Sequence, residues 1–184
     1  MSMSRISEIS EANGNAILEE AFEQERQMFG AVLNPTRVLA HCPDILKSAK
    51  NLYASFEESG LVPPTLLALV YARVAALNGC PFWVDINSFR ANAAEDGAKK
   101  VANLDNWKDS EVYTDQERIV LEYGERMTIT GKTVDDEFFK CLLQHFTEAQ
   151  VVELTAGIAM ENFRSKFNAP LKIEAQGFCQ ITQE

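Results

Sequence analysis

Hydrophobic residues recur along this chain at three- and four-residue intervals almost from end to end. In residues 15–30, Ile17, Leu18, Ala21, Phe22 and Met28 fall with helical spacing, and Gly30 is placed to stop the helix. Residues 42–60 put Pro43 at a first helical position and end at Gly60. Residues 63–79 are apolar nearly all round, as a central helix is. The next helix, 80–96, opens on Pro81 and stops at Gly97. Residues 114–131 and 147–170 begin with capping boxes, Thr114 with Glu117 and Thr147 with Gln150, and 135–146 lies between them. Strand-like alternation is almost absent and connections are short. The pattern predicts one all-α domain over residues 1–184, a multi-helix bundle whose core pairs the helix at 63–79 with that at 80–96. The less regular stretch at 103–113 is expected to pack through Trp107, and the tail from Leu171 to form an arm on a neighbour or a loose end.

Composition narrows the functions. A net charge of −10 leaves no cationic surplus to displace phosphate counterions, so nucleic acid is not expected as a partner. The most apolar run, 61–79, carries two prolines near its start and Arg73 further along, which suits a buried helix and not a membrane span. The first 15 residues have no apolar segment of the signal-peptide kind, and a cytoplasmic location is expected. Four cysteines without metal-site spacing and only two histidines, His41 and His145, give no expectation of a metal. No flavin or nucleotide signature suggests a cofactor.

The chemistry concentrates at Gly79-Cys80-Pro81-Phe82-Trp83. Gly79 should close one helix and Pro81 open the next, which makes Cys80 the N-cap. A thiolate there faces unpaired N–H groups and the positive end of the helix dipole, and both lower its pKa. A small buried hydrophobe is the competing role for the same residue. Cys42, in a second Cys-Pro pair after His41, reads as a helix entry, and Cys141 as core beside Phe138 and Leu142.

The order RVAALNGC (73–80), Trp83, DIN (85–87) and ANAAEDG (91–97) resembles the core of the AhpD-like, or carboxymuconolactone decarboxylase, superfamily. YTDQERIVLEYGERMT, FTEAQVVELTAGIAMENFRSKFNAPL and EAQGFC are similar to the later helices of its longer members, so the resemblance covers about residues 35–180. It implies an AhpD-like orthogonal bundle, assembly into a dimer, trimer or hexamer, and peroxide reduction through two cysteines one helical turn apart, relayed by a histidine and a glutamate. Here the first cysteine position is Cys80, but the second is Trp83, the histidine Asn87 and the glutamate Ala68. Tryptophan cannot resolve a sulfenate, and neither asparagine nor alanine relays protons. The family's thiol peroxidase mechanism should therefore be impaired or absent.

Several functions stay open at this stage: a single-cysteine antioxidant oxidoreductase using Cys80 and an outside thiol partner, a non-catalytic binding or structural oligomer, and a lyase of the lactone decarboxylase type. Tyr71, one turn after Ala68, and Glu161, Asn162 and Arg164 on the last helix are the candidates for an altered small-molecule pocket. Asp85 should point away from Cys80, solvated or as a partner of the helix N-terminal dipole; Arg90 should serve as a surface or ion-pair group, with reach to a carboxylate ligand as the alternative; and Cys179 is a possible resolving partner for Cys80.

Overall fold

In a computed structural model that describes residues 4–179, α1 spans Ala16–Phe29, α2 Asn34–Leu39, α3 Pro43–Ser59, α4 Pro64–Leu77 and α5 Pro81–Ala91. α6 spans Gly97–Ala102, α7 Asp115–Thr128, α8 Asp136–His145 and α9 Glu148–Leu171, with a 3-10 turn at Leu104–Asn106. Among the described residues there is no strand, and the fold is all-α. No helix among these residues is long and apolar enough to cross a membrane.

Local chemistry sets most helix ends. Thr114 with Glu117 and Thr147 with Gln150 form complete capping boxes. Asn15 and Asp135 accept backbone N–H groups at the starts of α1 and α8. Pro43, Pro64 and Pro81 stand in the first turns of α3, α4 and α5, and Gly30 and Gly60 close α1 and α3.

The core is organised around α4, which is buried without a break from Leu66 to Ala72. It packs most extensively on α5, as expected, and also on α7 and α9. The cover this apolar helix needs thus comes from within the chain. Its one charged residue, Arg73, reaches a buried carboxylate on α7. Arg73 Nε and Nη2 donate to Glu125 Oε1 at 3.0 and 2.8 Å, Trp107 Nε1 donates to the same oxygen at 3.0 Å, and Lys132 Nζ donates to Oε2 at 2.9 Å. Trp107 packs as expected, and its ring fastens the 3-10 turn to this cluster.

Three departures from the sequence pattern have physical causes. The periodicity carries a helix to residue 96, but α5 ends at Ala91, and the chain turns through Asp96 in the left-handed region (φ 55°) before α6. Residues 91–95 are adequate helix formers, so the break is tertiary: a Cβ on Gly97 would lie 2.4 Å from the Ala91 carbonyl oxygen, so this close turn takes glycine alone. The short α2 has no side-chain cap of its own. Glu25 on α1 holds it from outside, accepting from Leu33 N at 2.8 Å and Thr36 Oγ1 at 2.6 Å, and pairing with Lys50 on α3 at 2.9 Å. Cys141 is exposed and not core; in α8 it is the next residue, Leu142, that faces inward.

The described part of the tail folds back on its own chain. Ile173 is buried, and Asp85 accepts backbone N–H groups from Gly177, Phe178 and Cys179 at 2.7, 2.9 and 2.8 Å. Asp85 is therefore a clamp and not a solvated charge. Residues 180–184, also part of the expected arm, lie outside the described residues. At the other terminus Arg5 donates from its backbone N to Leu171 O and from Nη1 to Pro170 O, satisfying carbonyls at the end of α9 that the helix leaves unpaired.

Asp85→Ala removes one acceptor from three N–H groups. It should cost about 1–3 kcal/mol in chemical denaturation and accelerate amide exchange at Gly177–Cys179 selectively. A second expectation concerns acid. Burial would raise the pKa of Glu125, but hydrogen bonds from Lys132, Trp107 and Arg73 outweigh it and hold the group at about 2, below its ordinary 4.5. The stability it contributes is complete above pH 4.5 and is lost as pH falls toward 2. Urea midpoints against pH should show this acid limb, and Glu125→Gln should flatten it.

Candidate functional site: an aromatic cavity with a buried ion pair

A cavity of about 1260 Å³ opens between α1–α3 on one side and α4, α5 and α9 on the other. On α9 the wall is the stripe Met160, Phe163, Arg164 and Phe167, spaced i, i+3, i+4 and i+7. Ala68 and Tyr71 face it from α4, Trp83, Asn87 and Arg90 from α5, and Tyr53 and Phe56 from α3.

Arg164 is the centre of the polar part of this wall. Its Nε and Nη2 both approach Glu161 Oε2 at 2.5 Å, and Nη2 donates to Asn87 Oδ1 at 3.2 Å. Asn87 Nδ2 donates to the same Glu161 oxygen at 3.2 Å, which closes a three-residue ring of hydrogen bonds between α5 and α9. The guanidinium carbon lies 3.7 Å from the centre of the Trp83 ring, 5.2 Å from that of Tyr71 and 5.7 Å from that of Tyr53. Glu161 and Asn87 are fully buried and Arg164 nearly so. Burial raises the Glu161 carboxyl from 4.5 to about 7 against the pull of Arg164 and Asn87. The same burial pushes the Tyr53 phenol up to about 12 and Tyr71 higher still.

Tyr71 owes its position to Gly157. A Cβ there would fall 2.0 Å from the tyrosine oxygen, so the hydroxyl lies against the α9 backbone one turn before Glu161. Asn162, expected beside the pocket, is turned away from it. Asn162 Nδ2 donates to Thr128 Oγ1 and Ile158 O, and its Oδ1 accepts from Asn78 Nδ2, which ties α9 to α7 and to the end of α4.

Cys80 is the N-cap of α5, reached through Gly79 in the left-handed region (φ 66°). The reactive thiol expected of that geometry is not formed. The residue is 1% exposed, packed with Ala75, Phe82, Trp83, Ile86 and Ile173, and absent from the cavity lining. Burial raises its thiol to about 11. The backbone N–H of Trp83 works against this without prevailing, and the nearby Glu161 charge adds to the rise. Desolvation overrides the helix terminus. Cys179, by contrast, borders the cavity, with Asn92 Nδ2 3.7 Å from its sulfur.

Sequence reasoning brought together Ala68, Tyr71, Trp83, Asn87, Glu161 and Arg164, which the fold does assemble here. It missed Tyr53, Phe163, Phe167 and Asn168. The α9 stripe was legible as a four-residue helical repeat, whereas Tyr53 belongs to a helix whose own pattern points to no site.

The helical arrangement of the described residues is shared with solved structures of AhpD-like proteins. A peroxidase-related protein of Ralstonia eutropha JMP134 with the alkylhydroperoxidase AhpD core superposes with a TM-score of 0.84 at 18% identity, covering 97% of this chain and 96% of that one. The debrominase Bmp8 superposes with a TM-score of 0.82 at 20% identity, covering 98% and 97%. These likenesses establish an AhpD-like fold. In sequence the chain is 34% identical over 161 residues to the uncharacterized protein YnjA of Escherichia coli K12, covering 86% of this chain and 88% of that protein. The chain belongs to the family of YnjA. No family model matches it.

The raised Glu161 carboxyl sets a second pH dependence. A carboxyl whose pKa is higher in the folded chain favours folding below about pH 4.5, and that contribution is lost as pH rises through about 7. Denaturant midpoints should fall across this window in the wild type and lose that slope in Glu161→Gln.

Proposed function

We propose that this AhpD-like protein holds a small, largely apolar molecule in the α3–α4–α5–α9 cavity and does not run two-cysteine peroxide reduction. One observation carries the reading: Trp83, at the position of the second cysteine, lines a large aromatic cavity and packs against a cysteine that stays buried and protonated. With burial holding its thiol up at about 11, Cys80 stays protonated near neutral pH. The cavity meets the usual description of a ligand site, concave and apolar with a few fixed polar groups. Bmp8, in a cysteine-to-alanine variant, has been crystallised with 2,3,4-tribromopyrrole, so a protein of this fold takes an apolar ring. The free thiols of Cys42, Cys80 and Cys141 fit a reducing, cytoplasmic setting.

Three measurements test the reading. The neutral fluorophore N-phenyl-1-naphthylamine should bind, and Ala68→Trp, which fills the cavity, should abolish binding. Cumene hydroperoxide with a dithiol donor should turn over no faster than in buffer. Iodoacetamide on the native protein should modify Cys42 and Cys141 while sparing Cys80. Peroxide turnover that disappears in Cys80→Ser would overturn the assignment.

A further inference from the structure

We propose that the ligand is an arene carboxylate, its ring among the cavity aromatics and its carboxylate oxygens taking hydrogen bonds from Arg164, Trp83 and Arg90. This rests on the cavity being a binding site and adds the chemistry of the occupant.

Around Arg164 the wall presents unpaired donors, while unpaired acceptors sit on Asn92, Asn168 and Glu161. Arg164 uses Nε and Nη2 on Glu161 and Asn87, and no hydrogen bond engages Nη1 among the described residues. Trp83 Nε1 and the Tyr71 hydroxyl are buried without a hydrogen-bond partner. Both side chains line the cavity at 6% exposure, and both rings lie within 5.2 Å of the same guanidinium. Buried N–H groups left unpaired are costly, and the group that satisfies several at once is an oxygen-rich anion.

Charge points the same way. Arg90 lines the cavity on α5, one turn after Asn87, and its guanidinium is held below its usual range by desolvation first and by the Arg164 charge second. Two cations therefore face one cavity. Their carboxylate neighbours are weak counter-charges for the cavity: Glu57 stands 3.7 Å from Arg90 but is 61% exposed, and Glu161, its carboxyl raised by burial, does not line the cavity. The other charged pair at the wall, Glu25 and Lys50, is closed on itself and on α2. An entering carboxylate would relieve the repulsion between Arg90 and Arg164 and pair in the bidentate manner guanidinium favours. Tyr53, Phe56, Phe163 and Phe167 supply aromatic surface for its ring.

The test compares 2-naphthoate with its neutral isostere 2-naphthamide by calorimetric titration of the full chain near neutral pH. Naphthoate should bind about tenfold more tightly or better, the scale of one charge-assisted hydrogen bond. Arg164→Gln and Arg90→Gln should each bring the ratio of the two affinities toward 1. Arg90 is 41% exposed, so its variant keeps the test valid if loss of the buried Arg164 unfolds the chain. Equal affinity for the two probes, or a preference that survives both substitutions, overturns the proposal. Binding of N-phenyl-1-naphthylamine without naphthoate overturns it and leaves the cavity reading intact, whereas binding of no probe overturns both.

Discussion

The constraint on which this structure turns is the burial of Arg164 and Glu161 inside an aromatic shell. Desolvation costs several kcal/mol per charge in a buried ion pair, and hydrogen bonds to its members offset part of that cost. Here Asn87 supplies what two charges alone could not. Its amide gives a donor to Glu161 and an acceptor to Arg164, and Trp83 offers the guanidinium a flat face at 3.7 Å. Asn87 and Trp83 stand where the redox-active pattern, as the resemblance implies it, has histidine and cysteine. They are more than losses, since each is a member of the new network. Alanine at 68 completes the set: a glutamate there would bring a second carboxylate to a wall where Glu161 already struggles to stay ionised. The three departures from the motif form one coupled solution.

That coupling explains what could be read in the sequence and what could not. Helices α1, α3, α4, α7, α8 and α9 were legible because their caps and apolar faces are local properties. The end of α5 was not, since Gly97 against the Ala91 carbonyl is a contact between turns. Cys80 shows the limit most clearly. Its place as an N-cap was read correctly, yet the acidity inferred from that place has the wrong sign, because burial depends on Ile173, Phe82 and Ala75 arriving from different parts of the chain. Asp85 was misjudged for the same reason: its three N–H donors lie more than 90 residues downstream.

Acidic composition, too, has an internal meaning that a charge count hides. Besides Glu161, four carboxylates each gather a segment that no regular helix bonding secures. Glu25 holds the start of α2. Glu153 on α9 accepts from Ser59 Oγ at 2.7 Å and from the Leu61 and Val62 N–H groups at 3.1 and 3.4 Å, fixing the α3–α4 connection. Glu125 gathers the 3-10 turn and the chain after α7, and Asp85 the C-terminal segment. Charge-assisted bonds of this kind are among the stronger hydrogen bonds a protein makes.

This mode of anchoring is what lets the cavity persist. Protein interiors ordinarily close to near-crystalline density, and empty apolar volume costs free energy in proportion to its size. Walls held only by mutual packing would collapse into a space of about 1260 Å³. Here α2 is fixed from behind by Glu25, the α3–α4 connection by Glu153, and the segment that brings Cys179 to the cavity edge by Asp85. These anchors hold the wall segments through hydrogen bonds rather than through packing in the space itself. The polarity of the wall then follows from helix geometry. On α9, Arg164 lies one turn after Met160 and three residues before Phe167, so the register that presents the apolar stripe also presents the guanidinium. Shape, apolar surface and positive charge thus come from one helix face, and α5 meets it with Trp83, Asn87 and Arg90.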